Sequence, residues 1–261
     1  MQPLIISAPF GNYVRPRGST PTLGTFTAAR RPGRLWRVLA TVRYSPRMRA
    51  WVNKIGLRNP GIDWLAQRVR AQREDVSQAI VSIHGFADED WWLLLDRIAE
   101  LRPLAVELNM SCPNVGEVNW PESLFQRAVS VCGAASTVIV KLPPVNYRGL
   151  ADDALAAGVR TLHCCNTLPV PAGGVSGKPL KPVSLQCITD LRERIAPDTV
   201  IIGGGGITAA SDIDDYVGAG AQHVAIGTKA FNPRCLWSEA PLRPLIEHAA
   251  SVLSSGGAET D

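Results

Sequence analysis

Eight short runs rich in apolar and β-branched residues recur along the chain, with helix-patterned segments between most of them. The runs are Leu4–Ser7, Thr22–Thr27, Ala79–His84, Ala105–Met110, Val138–Leu142, Thr161–Asn166, Thr199–Gly203 and His223–Gly227. Alternating strand and helix builds a parallel sheet, and eight units is the count that closes a (β/α)8 TIM barrel. A doubly wound α/β sheet is the rival, but it would usually place its glycine fingerprint after the first strand. Here the glycine-rich turns, "GGGG" at 203–206 and "GT" at 227–228, follow the seventh and eighth strands. The stretch "APFGNYVRPRGSTP" between the first two strands has three prolines and no helical period, so the first helix is expected to be missing or reduced. The long connection 28–78 is expected to make an excursion over the barrel top. Residues 1–261 read as a single domain and 254–261 as a loose tail.

The helical segments carry their own punctuation. "DEDWWLLLDRIAEL" puts Trp91, Leu94, Leu95 and Ile98 on one face, with Asp88 as its expected N-cap. Pro121 opens another helix and Gly158 stops a third.

Composition narrows the class. With 46% hydrophobic and 19% charged residues, the chain can bury a sizeable core. No apolar run is long enough to span a bilayer, and the start lacks a signal-peptide plan, which predicts a cytoplasmic protein. None of the six cysteines forms a C-x-x-C, which argues against a metal or iron–sulfur site within the chain. Residues 1–75 hold 14 Lys or Arg against three acids, and the remainder holds 13 against 20. Such a basic first third suits a transit peptide, a nucleic-acid arm or a site for small anions. The strand-like "PLIISAPFG" beside Met1 weakens the first of these.

Barrel enzymes place their chemistry at the C-terminal strand ends. Strand four ends "ELNMSCPN", strand five "VIVKLPP", strand six "HCCNT". The glycine turns offer backbone N–H groups for a phosphate, "GGGG" at a helix N-terminus; a single one would read as a tight turn, and two on adjacent strands favour function. Lys141 ends an apolar strand, and if it points inward it needs an anion or an electron-rich partner; the alternative is snorkelling between helices. Asn53, Asn109, Asn114 and Asn166 sit at strand ends or turns. Singly each reads as a turn residue, while together they suit the edge of an amide or imide ring. Cys112 is either an inert buried thiol or an acid, base or nucleophile beside a cofactor. His84 is a candidate to touch a cofactor; His163 and His223 are expected in the wall, and Cys164 in the packing.

In order, "NKIGLRNPG", "ELNMSCPN", "VIVKLPP", "CNT", "GGVSGKPLKP", "IIGGGGI" and "VAIGT" resemble the motifs of the dihydroorotate dehydrogenase family, FMN-dependent (β/α)8 barrels. The resemblance covers roughly residues 50 to 230, and Cys112 matches the soluble class, whose base is cysteine. It implies oxidation of dihydroorotate, or a close dihydropyrimidine, to orotate in pyrimidine biosynthesis. Cys112 would remove the C5 proton while FMN N5 accepts hydride from C6. Asn53, Asn109, Asn114, Asn166 and Thr167 would hold the substrate. Lys141 would contact the flavin ring, Gly177 approach the cofactor, and Gly205, Gly206, Gly227 and Thr228 bind its phosphate. Ala8 and Ser82 would lie near the flavin by strand position. The family also implies a homodimer, and an NAD route would need an electron-transfer partner chain; membrane and nucleic acid are not expected partners. The family's lysine at the end of strand two is replaced at about Gly24, and an arginine, Arg17 or Arg43, is expected to compensate. Two alternatives remain: a dihydrouridine-synthase-like enzyme acting on RNA, and a non-catalytic flavin-binding protein.

Overall fold

The computed structural model describes residues 1–110, 120–171 and 173–253. Cys112, Asn114 and the 254–261 tail lie outside them. The described chain begins β1 (Leu4–Ile6), β2 (Ser19–Phe26), α1 (Arg34–Thr41), β3 (Arg43–Ser45), β4 (Ala50–Asn53) and α2 (Ile62–Arg70). It continues β5 (Ile80–Ile83), α3 (Asp88–Leu101), β6 (Ala105–Asn109), α4 (Leu124–Cys132), β7 (Thr137–Lys141), α5 (Arg148–Ala156) and β8 (Thr161–Cys164). It ends β9 (Leu168–Val170), β10 (Gly173–Gly177), α6 (Leu180–Arg192), β11 (Val200–Gly204), α7 (Ala210–Gly218), β12 (His223–Ile226) and α8 (Arg243–Leu253).

All eight expected strands form one closed barrel, in the order β1-β2-β5-β6-β7-β8-β11-β12, with β1 pairing β12 to close it. Every barrel pairing is parallel. Strand alternation then sorts the side chains into two sets. Leu108, Val140, Leu162 and Ile201 belong to the core shared with the helices, where α3 buries Trp91, Leu94, Leu95 and Ile98 as expected. Each such side chain contributes about 2 kcal/mol by leaving water. Inside the barrel, Ile5, Ile80, Ala105, Ile139, Ile202 and Ala225 form an apolar layer with Met1 packed against it.

The β1–β2 connection holds only a 3-10 turn at Phe10–Asn12. Gly11 lies so close to β2 that a Cβ there would be 2.4 Å from the Thr22 carbonyl oxygen. The reduced first helix is therefore replaced by a turn pressed onto the next strand. Two helix starts differ from expectation. Asp88 is the first helical residue and not the cap, which is Ala87; with Glu89 and Asp90 it places three acids at the positive end of the helix dipole. α4 begins at Leu124, after Pro121.

A second, antiparallel sheet of four short strands, β3-β4-β10-β9, accompanies the barrel. It pairs the β2–α2 connection with the segment after β8, through Asn53 opposite Gly174 and Ala50 opposite Gly177. The sequence motifs "VNKIGL" and "GGVSG" thus meet, although 121 residues separate Asn53 from Gly174.

Candidate active site

A cavity of about 460 Å³ lies over the C-terminal ends of the barrel strands. Two residues beyond the inner apolar layer, the same alternation turns polar. Ser7, Lys141, Gly204 and Gly227 line the cavity, and Ser82 and Glu107 stand behind it.

Glu107 is the centre of this layer. It is 1% exposed. His163 Nδ1 is 2.7 Å from Oε2, the Ser82 hydroxyl donates to Oε1 at 2.8 Å, and Lys141 Nζ is 3.7 Å from Oε1. Burial works to raise the Glu107 carboxyl; the Lys141 charge and the His163 and Ser82 hydrogen bonds overcome it and hold the group down at about 2. Burial, helped by the Lys141 charge, pushes His163 down against the pull of Glu107. A neutral His163 therefore presents an Nδ1–H to the carboxylate. Lys141 points inward, as the sequence suggested, and its anion is Glu107. That residue was missed, although the spacing Ala105, Glu107, Asn109 puts all three on one face of β6.

The hydrogen bonds continue towards the substrate-side residues. Ser82 Oγ is 3.0 Å from Thr25 Oγ1, which accepts from the Asn109 amide at 3.1 Å. The Asn166 amide donates to Asn109 Oδ1 at 2.9 Å, and Asn166 Oδ1 accepts from the Thr167 N–H at 2.8 Å. Asn53, at the end of β4, lines the same cavity as Asn109, Asn166 and Thr167. Three of the four expected asparagines are thus brought together, and the fourth, Asn114, is outside the described residues.

Part of the cavity wall is built of backbone. Gly177, Gly205, Gly206, Gly227 and Thr228 all line the cavity, and Ala8 joins them from β1's end. Gly206 has φ +74°, and a Cβ there would meet the Gly177 carbonyl oxygen at 2.9 Å, so the two loops touch as only glycine permits. The first turn of α7 is not the donor surface the sequence suggested. Asp212 accepts from the N–H groups of Thr208 and Ala209 and pairs with Lys181, so the helix start already has its own anion. The loop glycines, not the helix start, face the cavity.

Other expectations shift. Ser82 acts from behind the wall. His84 is fully buried, contacts the Asn109 carbonyl oxygen at 2.7 Å and packs edge-on against Phe86 and Trp91; it does not line the cavity. His163 does, and so does Cys165, where Cys164 is core. Arg17 and Arg43 are elsewhere: the Arg17 N–H meets Glu239, and the Arg43 guanidinium caps the carbonyls of Leu39, Ala40 and Val42 at the end of α1. The cavity-lining arginines are Arg34 and Arg58. At Gly24, φ is +106° and a Cβ would stand 2.5 Å from the Ser82 carbonyl oxygen, so no side chain fits there; neighbouring Thr25 lines the cavity.

The family model for dihydroorotate dehydrogenase matches residues 17–239. The chain belongs to the dihydroorotate dehydrogenase family. It is 33% identical over 208 residues to the catalytic subunit of dihydroorotate dehydrogenase B (NAD(+)) of Alkaliphilus metalliredigens, covering 70% of this chain and 68% of that one. It is 34% identical over 204 residues to the subunit of the same name from Listeria innocua, covering 69% and 66%. The matched stretch is thus about two thirds of those relatives' lengths. The fold is also that of solved dihydroorotate dehydrogenase structures from Eimeria tenella. The ligand-free form aligns with TM-score 0.71 at 20% identity, over 91% of this chain and 78% of that one. The ferulenol complex aligns with TM-score 0.68 at 19% identity, over 98% and 82%.

Proposed function

We propose that this chain is an FMN-dependent oxidoreductase of the cytoplasm that converts dihydroorotate, or a close dihydropyrimidine, to orotate. The observation that carries the reading is one cavity lined by three kinds of group at once. Asn53, Asn109, Asn166 and Thr167 supply amides and a hydroxyl, the glycine loops and Thr228 supply backbone, and Lys141 supplies a cation.

The residues present fit FMN. Gly227 has φ −125°, and a Cβ there would stand no nearer than 3.8 Å to the Phe10 ring. The fold does not demand glycine at 227; room in the cavity does. Gly205, Gly206, Gly227 and Thr228 would hold the phosphate by backbone N–H groups and a hydroxyl. Lys141 and Gly177 would hold the ring. When bound, the flavin supplies a two-electron acceptor.

The chain's own residues do the rest. The asparagines read the amide edge of the pyrimidine ring by donating and accepting together, and their mutual hydrogen bonds hold those amides in place before substrate arrives. Cys112, as the base of the soluble class, would take the C5 proton, and Asn114 would join the other asparagines in holding the substrate. Arg34 and Arg58 provide the positive charge for a carboxylate at the cavity mouth. The similarity to NAD(+)-linked catalytic subunits supports electron transfer to NAD through a second chain, and a homodimer is the family expectation.

Orotate binding tests the substrate side. Orotate is expected to shift the absorbance of the FMN-loaded protein, with Asn109→Ala weakening its Kd at least tenfold. An unchanged Kd in that variant would remove the asparagines from the substrate site.

A further inference from the structure

The buried ring behind the cavity floor has a property beyond holding the barrel together. Lys141 reaches the cavity, whereas Glu107 is sealed behind it with Ser82 and His163 as its other partners. Lys141 is 7% exposed. An ammonium so enclosed needs an anion beside it. Glu107 is that anion. His163 donates to it, and Ser82 fixes its other oxygen. No other carboxylate belongs to this ring among the described residues.

We propose that Glu107 is a positioning residue for the flavin, one that acts through Lys141 by holding its ammonium aimed at the cavity floor, and so favours the reduced cofactor. The inference rests on the cofactor reading above. Reduction places negative charge on the flavin, and a nearby cation stabilises it. In Glu107→Gln the carboxamide is nearly isosteric; its oxygen still accepts from His163 and its NH2 donates to the Ser82 hydroxyl, but it carries no charge. The ammonium then loses its counter-ion. Because Lys141 lines the cavity and Glu107 does not, the change at Lys141 outweighs the lost carboxylate charge as felt by the ligand.

The test is the two-electron midpoint potential of bound FMN in four proteins: wild type, Glu107→Gln, Lys141→Gln and the double variant. Glu107→Gln is expected to weaken binding of reduced relative to oxidised FMN at least tenfold, a fall of about 30 mV. Lys141→Gln is expected to lower the potential further, and the double variant to match Lys141→Gln alone. A merely structural Glu107 would leave the potential in place. An unchanged or raised potential in Glu107→Gln, or a full-sized Glu107→Gln effect without Lys141, would overturn the proposal. If Glu107→Gln fails to fold, Ser82→Ala removes only the hydroxyl that steadies the carboxylate. A two- to fivefold effect in the same direction is then expected, and no effect would overturn the proposal. Wild-type protein that takes up no FMN would overturn the cofactor reading and this inference with it; FMN bound at an unchanged potential would overturn this inference alone.

Discussion

At the scale of single residues, a carboxylate held at about 2 inside a barrel ties the active-site floor to stability. Its ordinary value is 4.5. The folded chain therefore releases this proton more readily than the unfolded chain, and the stabilisation is fully present above about pH 4.5. It is lost as pH falls towards 2, because the unfolded state then binds the extra proton. The difference corresponds to something on the order of 3 kcal/mol. Urea denaturation at steps from pH 6 to pH 3 is expected to show a shallower acid loss for Glu107→Gln than for wild type, although the variant starts less stable at neutral pH. Equal slopes would mean that Glu107 does not carry this linkage. Legibility at this scale was uneven. Asn53, Asn109, Asn166, Thr167 and Lys141 are readable because strand ends are readable. Glu107 was available from the same alternation that turned Asn109 inward, but an acid next to apolar residues is easily taken as an edge. Its partners His163, Ser82 and Lys141 come from three other strands, and only closure of the barrel brings them together.

At the scale of elements, the glycine loops divide into those the backbone needs and those the cavity needs. Gly205 has φ +126°, and a Cβ would collide with Leu180 at 2.8 Å; Gly227 has neither constraint. Gly227→Val is therefore expected to melt within a few degrees of wild type while binding FMN at least tenfold more weakly. Thermal melts without ligand, paired with flavin titration, check this. A large loss of stability without ligand would mean that glycine is there for the fold. Sequence reading found all eight barrel strands because each is a short apolar run with a turn behind it. It missed β3, β4, β9 and β10, which are three to five residues long and gain their identity only by pairing across the chain. It also treated the start of α7 as a donor surface, because the sequence does not announce that Asp212 folds back to cap it.

At the scale of the whole molecule, part of the basic first third is used within the fold itself. Arg15 and Arg68 meet Glu74, Arg70 meets Glu100, Arg43 closes the end of α1, and Arg34 and Arg58 line the cavity. No helix among the described residues is long and apolar enough to cross a membrane. The chain's architecture and family agree. The central claim is that this barrel still oxidises a dihydropyrimidine, with Cys112 as the base. The direct measurement is anaerobic: load the protein with FMN, add dihydroorotate and follow the flavin absorbance. Prompt bleaching that is abolished in Cys112→Ala is the predicted result. Flavin that binds but stays oxidised in the wild type would contradict it.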